Sequence, residues 1–140
     1  MERTLSIIKP DAVEAGHADK IMTHLVGEGF KILSVRRLRL TDAQARAFYE
    51  VHKERPFYAS LVTFMTSGTV VALALERADA VRHLRAVMGA TDSQQAEDGT
   101  IRNLYGTDIE RNAIHGSDSA ENAARELAFF FSTAELIGAG

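Results

Sequence analysis

The stretch Asn112-Ala113-Ile114-His115-Gly116-Ser117-Asp118-Ser119 sets one histidine between an apolar pair and a run of glycine, serine and aspartate. An imidazole with a pKa near about 6.5 is mostly neutral at pH 7 and keeps a lone pair, so it can attack a phosphoryl group and form a labile phosphoramidate. Gly116 would let neighbouring backbone come close, and a carboxylate or hydroxyl on the second ring nitrogen would fix the tautomer. A histidine satisfied within the core is the other reading of these residues, and the stretch by itself leaves both open. Phosphoryl transfer also needs cations, because a triphosphate brings several negative charges and catalysis is mainly positioning and charge stabilisation. Lys9, Arg85 and Arg102 are the candidates, although each also reads as a solvated surface charge. Lys9 is the best placed, since a strand end followed by Pro10-Asp11 makes a fixed platform.

Other chemistries have little support. Signatures of P-loop, dinucleotide-binding and protein-kinase folds are missing, as are H-E-x-x-H and G-x-S-x-G. The five histidines (17, 24, 52, 83 and 115) are never spaced four apart, which weakens a histidine-based metal site. His17, His24, His52 and His83 are expected at the surface or in packing. Without cysteine there is no disulfide and no thiolate ligand or nucleophile. The net charge of -3 opposes general attraction to nucleic acid or anionic membranes, but it does not forbid a local group of cations. The opening Met-Glu-Arg-Thr-Leu-Ser-Ile-Ile-Lys lacks the apolar core of a signal peptide, so the cytoplasm is the expected compartment. Residues 56–75 carry no charge, as a membrane span would, but Thr66-Ser67-Gly68-Thr69 divides the run into a short helix and a buried strand.

These side chains must be held by a scaffold, and the hydrophobic periodicity supplies one. With 140 residues, 46% of them hydrophobic and 25% charged, one domain spanning 1–140 with one core is expected. Residues 4–9 read as a strand closed by Pro10. Ala18, Ile21, Met22, Leu25 and Val26 recur at helical spacing before Gly27 and Gly29, and residues 30–40 read as a long half-buried strand. Thr41 and Gln44 form a capping-box signature for a helix to about Lys53, and Arg55-Pro56 separates it from a short helix over 57–65. Residues 69–76 are apolar enough for a buried strand. A helix follows with Val81, Leu84, Val87 and Met88 inward and Gly89 as its stop. Residues 90–99 read as a surface loop and the Gly-Thr-Ile-Arg segment as less regular. Asn112–His115 form a short strand, edge or central, before a helix capped by Ser117 or Ser119. This order fits an α+β fold: a ferredoxin-like β-α-β-β-α-β sandwich with a four-stranded antiparallel sheet, an inserted helical pair and a C-terminal extension.

Taken in order, Thr4–Val13, Glu54–Gly68, Gly99–Arg102 and Asn112–Glu126 resemble the motifs of the nucleoside diphosphate kinase family, collinearly from about residue 2 to 136. The resemblance implies a ping-pong exchange in which a nucleoside triphosphate, chiefly ATP, phosphorylates His115 and a nucleoside diphosphate then takes the phosphate. Lys9 and Asn112 would meet the ribose hydroxyls, with Lys9 also near the transferred phosphate, and Arg85, Thr91 and Arg102 would hold the phosphate chain. Tyr49 would pack beside the histidine, and Glu126, supported by Ser117, would orient its ring. Phe57 and Ile109 would sandwich the base, which implies broad base and ribo/deoxyribo specificity. Mg²⁺ would ride on the phosphates with no direct protein ligand, Asp118 reaching it through water. No nucleic-acid or membrane partner is implied.

Two departures stand out: Ser67-Gly68-Thr69 replaces the family's usual Ser-Gly-Pro, and Asp92-Ser93 replaces a common Asn-Pro. The first removes a restriction on the unfolded chain worth about 0.4–1 kcal/mol. The short tail resembles bacterial members, which favours a homo-oligomer built as a dimer-based tetramer over a hexamer. A relative that had lost activity would be expected to lack His115, Lys9 or an arginine, and all are present. An enzyme sharing a phosphohistidine but passing phosphate to a sugar or water would differ in its acceptor.

Overall fold

The computed structural model describes residues 1–139. Strands β1 (Glu2–Ile8), β2 (Lys31–Leu38), β3 (Val70–Arg77) and β4 (Ile114–Gly116) form an antiparallel sheet in the order β2-β3-β1-β4. Helix α2 (Ala18–Gly27) connects β1 to β2, and α5 (Ala80–Met88) connects β3 to β4, with the pair α3 (Asp42–Phe48) and α4 (Tyr58–Met65) inserted between β2 and β3. This is the expected ferredoxin-like α+β topology with its inserted helical pair.

The long apolar run of β3 follows from burial on both faces. Val71, Leu73 and Leu75 point to a layer with Ile21, Leu25, Leu84 and Met88 of α2 and α5, whereas Val70, Ala72 and Ala74 point to Ala45, Phe48, Val62 and Met65 of α3 and α4. Period-2 alternation therefore separates two cores rather than a core from solvent. The second face is completed by Leu127 and Phe130 of α7 (Ala120–Phe130). Residues 56–75 split as expected into α4 and β3, and no helix among the described residues is long and apolar enough to cross a membrane.

Several elements differ from the sequence expectation. Pro10 closes β1, but it also occupies the first turn of a short helix α1 (Pro10–Glu14), where its missing N–H costs nothing. Helix α3 ends at Phe48 rather than near Lys53. A 3₁₀ turn, Glu50–His52, replaces the last expected turn, because Glu50, Val51 and Lys53 are all exposed and give a longer helix no apolar face. The Gly-Thr-Ile-Arg segment folds as α6 (Ile101–Tyr105), capped by the Thr100 hydroxyl, and α8 (Thr133–Leu136) begins at a Ser132/Glu135 capping box. Helices this short carry too few turns for periodicity to reveal them. Val26 is exposed and Val81 only half-buried, unlike their apolar neighbours. Ser119, not Ser117, caps α7, and β4 lies at the sheet edge.

Candidate functional site

Strand parity decides which way His115 faces. In the β1–β4 ladder His115 pairs with Ile7 and Ile114 with Ile8, so Ile114 joins the α2/α5 core while His115 turns to the α3/α4/α7 side. There its ring meets Phe48 and Tyr49 edge-on, with centroids 5.5 and 6.2 Å away. β4 can lie this close to α5 because residue 116 is glycine. A Cβ there would stand 2.8 Å from Met88 Sδ and 2.9 Å from a Leu84 methyl.

Nε2 of His115 lies 2.8 Å from Glu126 Oε1, and the same oxygen accepts the fully buried Ser117 hydroxyl at 2.8 Å. Burial would raise the Glu126 carboxyl, but the hydrogen bonds and charge from His115 and the Ser117 hydroxyl outweigh it and hold the group below its ordinary value. Glu126 is therefore ionised at neutral pH, and an ionised carboxylate accepts only, so the proton sits on Nε2 and the lone pair on Nδ1. Nδ1 has no hydrogen bond to any described protein group. Burial lowers the His115 pKa from the usual 6.5, Glu126 opposes that shift, and Lys9 and Arg102 add to it. The ring is neutral at pH 7.

The cations come from three elements. Lys9, 7% exposed, follows β1, and its backbone N–H donates to Ala113 O at 2.8 Å. Burial and the nearby Arg102 lower its pKa to about 8, against the attraction of Asp11 and Glu110. Arg102 on α6 is buried, donating Nη1 to Gly89 O at 3.1 Å and Nη2 to Ile114 O at 2.8 Å. Its Nε is buried without a partner, and burial followed by the charge of Arg85 brings its pKa down to about 10. Arg85 on α5 donates Nη1 to Gly116 O at 3.1 Å. These arginines are oriented by carbonyls, and among the described residues neither forms a salt bridge with a carboxylate, although Arg85 is close enough to Asp118 to help hold that carboxyl ionised.

All these groups open on one cleft of about 480 Å³. Lys9, Tyr49, Phe57, Arg85, Thr91, Arg102, Ile109, Asn112, His115, Asp118 and Glu126 line it, while Ser117 stands behind Glu126. At the mouth Phe57 and Ile109 are 48% and 64% exposed, apolar surface left open at a cleft that is otherwise charged. Asn112 is nearly buried and donates Nδ2 to Thr91 O at 2.9 Å and Ile109 O at 3.2 Å, leaving Oδ1 without a partner. The Tyr49 hydroxyl is also buried and unpartnered, and burial, with the Glu126 charge, raises its pKa. Asp118 is exposed, and the Asn122 amide donating at 2.6 Å holds its carboxyl below the ordinary range.

A second groove, of about 620 Å³, lies between α1 and α4, but it lacks His115 and the arginines of the cleft. Sequence reasoning passed over several residues of the cleft wall. Phe48 supports the histidine ring, Arg125 approaches Glu126 Oε2 at 3.5 Å, and His52 sits beside Phe57 with ring centroids 5.5 Å apart. His52, expected at the surface or in packing, thus reaches the rim. Only the helical phase of α3 and the position of Arg125 next to Glu126 could have pointed to the first two. No group of three or more His, Cys, Asp or Glu suited to a metal ion occurs among the described residues.

Comparison with known proteins agrees along the chain. The sequence model of the family described as nucleoside diphosphate kinase matches residues 2–136. A nucleoside diphosphate kinase of Acidiphilium cryptum is 56% identical over 137 residues, covering 98% of either chain. Among solved structures, that of an Aquifex aeolicus nucleoside diphosphate kinase aligns with a TM-score of 0.95 at 48% identity, covering 96% of this chain and 98% of its own. A Halobacterium salinarum nucleoside diphosphate kinase in complex with CDP aligns with a TM-score of 0.92 at 44% identity, covering 96% of this chain and 90% of its own.

Proposed function

This chain belongs to the nucleoside diphosphate kinase family and is a phosphotransferase of that kind, and from that premise we propose that it works by ping-pong exchange through phosphorylated His115. The observation that carries the reading is the 2.8 Å contact of Nε2 with Glu126, which leaves Nδ1 as the nucleophile at the cleft. Nδ1 attacks the terminal phosphorus of a nucleoside triphosphate, chiefly ATP, as the bond to the bridging oxygen breaks and the diphosphate leaves. The positive charge that attack generates on the ring is held by the Glu126 carboxylate, itself fixed by Ser117. A second diphosphate then attacks phosphohistidine and restores the free ring.

Lys9, Arg85, Arg102 and Thr91 hold the phosphates, and Asn112 and Lys9 meet the ribose. The unpartnered Nε of Arg102 and Oδ1 of Asn112 support these roles, since a ligand would satisfy both. Tyr49 packs against the histidine. Phe57 and Ile109 take the base between them, and apolar faces discriminate poorly, which favours broad base and ribo/deoxyribo specificity. Mg²⁺ would arrive with the phosphates and offset their charge, and the exposed carboxylate of Asp118 would be the group to reach it through water.

The reading extends to a single domain over 1–140, a cytoplasmic location, and no nucleic-acid or membrane partner. It also includes a homo-oligomer, with a dimer-based tetramer favoured over a hexamer. The exposed edge strand β2, with Val35 51% exposed, is a surface that a second copy could cover. Sedimentation of the purified protein reads the number of copies.

Incubation with γ-labelled ATP tests the mechanism. The expected product is an acid-labile, base-stable phosphoprotein that GDP discharges far faster than buffer does. In His115→Ala both the label and the exchange disappear while the circular dichroism stays that of a folded chain. Exchange at the normal rate in that variant would end the proposal.

A further inference from the structure

Ala113 is a non-glycine residue in the left-handed region, with φ 73°, a conformation that persists only where the surroundings impose it. Ile114 N–H donates to Asn112 O at 2.9 Å, closing a three-residue turn around it. Both polar groups of Ala113 are taken up by one segment. Its N–H donates to Asp11 Oδ2 at 3.1 Å, and its carbonyl accepts from Lys9 N–H at 2.8 Å. Ala113 is fully buried, so water could not replace either bond.

This turn joins two working parts of the cleft. On one side is Asn112, whose amide reaches Thr91 and Ile109, and on the other is β4, which starts at Ile114 and carries His115. If the turn relaxed to an ordinary φ, Asn112 would rotate and β4 would lose its register against Ile7 and Ile8.

We propose that Asp11 is a positioning residue for phosphoryl transfer, its carboxylate holding the turn at Ala113 so that Asn112 and His115 face the nucleotide together; this rests on the mechanism above. A short aspartate one residue beyond Pro10 is suited to the task, because α1 is anchored at Pro10 and Ala12, both buried. The same carboxylate also acts on charge. Lys9 is faced by Asp11 of α1, Glu110 of the loop before β4, Arg102 of α6 and His115 of β4, and Asp11 is the first of the two anions that keep it protonated.

Variants of the full chain, assayed by ATP-to-GDP exchange, test the inference. Asp11→Ala removes the acceptor and is expected to lower kcat/KM on the order of ten- to a hundredfold, as small misplacements of reacting groups do. Adding Ala113→Gly to Asp11→Ala should recover much of that loss, because glycine takes a positive φ without being held. Asp11→Asn keeps an acceptor but not the charge, so it should retain more of the rate than Asp11→Ala while the alkaline fall of kcat/KM moves to lower pH. A residue that served stability only would give neither the rescue nor the moved limb. In the wild type the Ala113 amide proton should shift as the Asp11 carboxyl titrates, above the usual 3.8 because burial raises it. An Ala113 amide that ignores that titration, or an Asp11→Ala loss that merely follows the unfolded fraction, overturns the proposal. Should the wild type take no label on His115, the mechanism fails, yet the Ala113 signal still judges the clasp, so the two failures are distinguishable.

Discussion

Two contacts of 2.8 Å between a nitrogen and a carboxylate oxygen do different work in this molecule. His115 to Glu126 lies beneath the cleft, with side chains 20% and 8% exposed, whereas Arg82 to Asp79 sits at the start of α5, with side chains 86% and 53% exposed. Length does not separate them; surroundings do. In solvent the attraction is screened and offset by the ordering of long side chains, while under the cleft it decides where a proton resides. The cations follow the same rule. Lys9 and Arg102 are shifted downward by burial, but the exposed Arg46, bonded to Asp42, is shifted upward by its partner.

Removing buried members of this set should therefore cost most. Lys9→Ala is expected to lower kcat on the order of 10²–10³-fold, the usual loss when a charge-stabilising donor is removed. The wild-type pH profile sharpens the point. His115 titrates below its usual 6.5, so kcat/KM should fall on the acid side only beneath that value as the ring gains a proton. It should fall again on the alkaline side as free Lys9 loses its proton near about 8. An acid limb lying above pH 6.5 would contradict the first assignment, and a plateau running unbroken from pH 7 to 10 the second.

Glu126→Gln keeps the shape but not the charge and should lower kcat roughly 10–100-fold, a common loss when the partner that orients a working histidine is changed. Because the Glu126 charge raises the His115 pKa, its loss should also move the acid limb to lower pH. Movement in the opposite direction would show that the carboxylate does not govern the ring. Gly116→Ala forces a methyl against Met88 and Leu84 and is expected to cost about 1–3 kcal/mol of stability, measured by denaturant unfolding. At the exposed end of the comparison, Arg82→Ala should change stability by less than about 0.5 kcal/mol and leave exchange at the wild-type rate. A larger effect there would abolish the distinction between the two contacts.

The legibility of the chain followed the same division between local and assembled features. Helices α2 and α5 and strand β3 were readable because each repeats its burial pattern over two turns or more, or over eight residues. α1, α6 and α8 were not, since four or five residues show no period. Among the cleft residues, His115, Lys9 and the arginines could be named from residue type. Phe48 and Arg125 could not, because an aromatic at helical spacing and a lone arginine look like ordinary core and surface.

The order of residues by itself determined which groups were available: an imidazole beside glycine, three cations, a carboxylate eleven positions further on, and alternating apolar runs able to build a covered sheet. Which way that imidazole faces, and which of its nitrogens is left open, was decided only by the folded chain. Pairing Ile7 with His115 aimed the ring away from Ile114's core, burial kept it neutral, and Glu126 took one of its nitrogens. Direction and desolvation depend on partners distant along the chain, and no local pattern contains them.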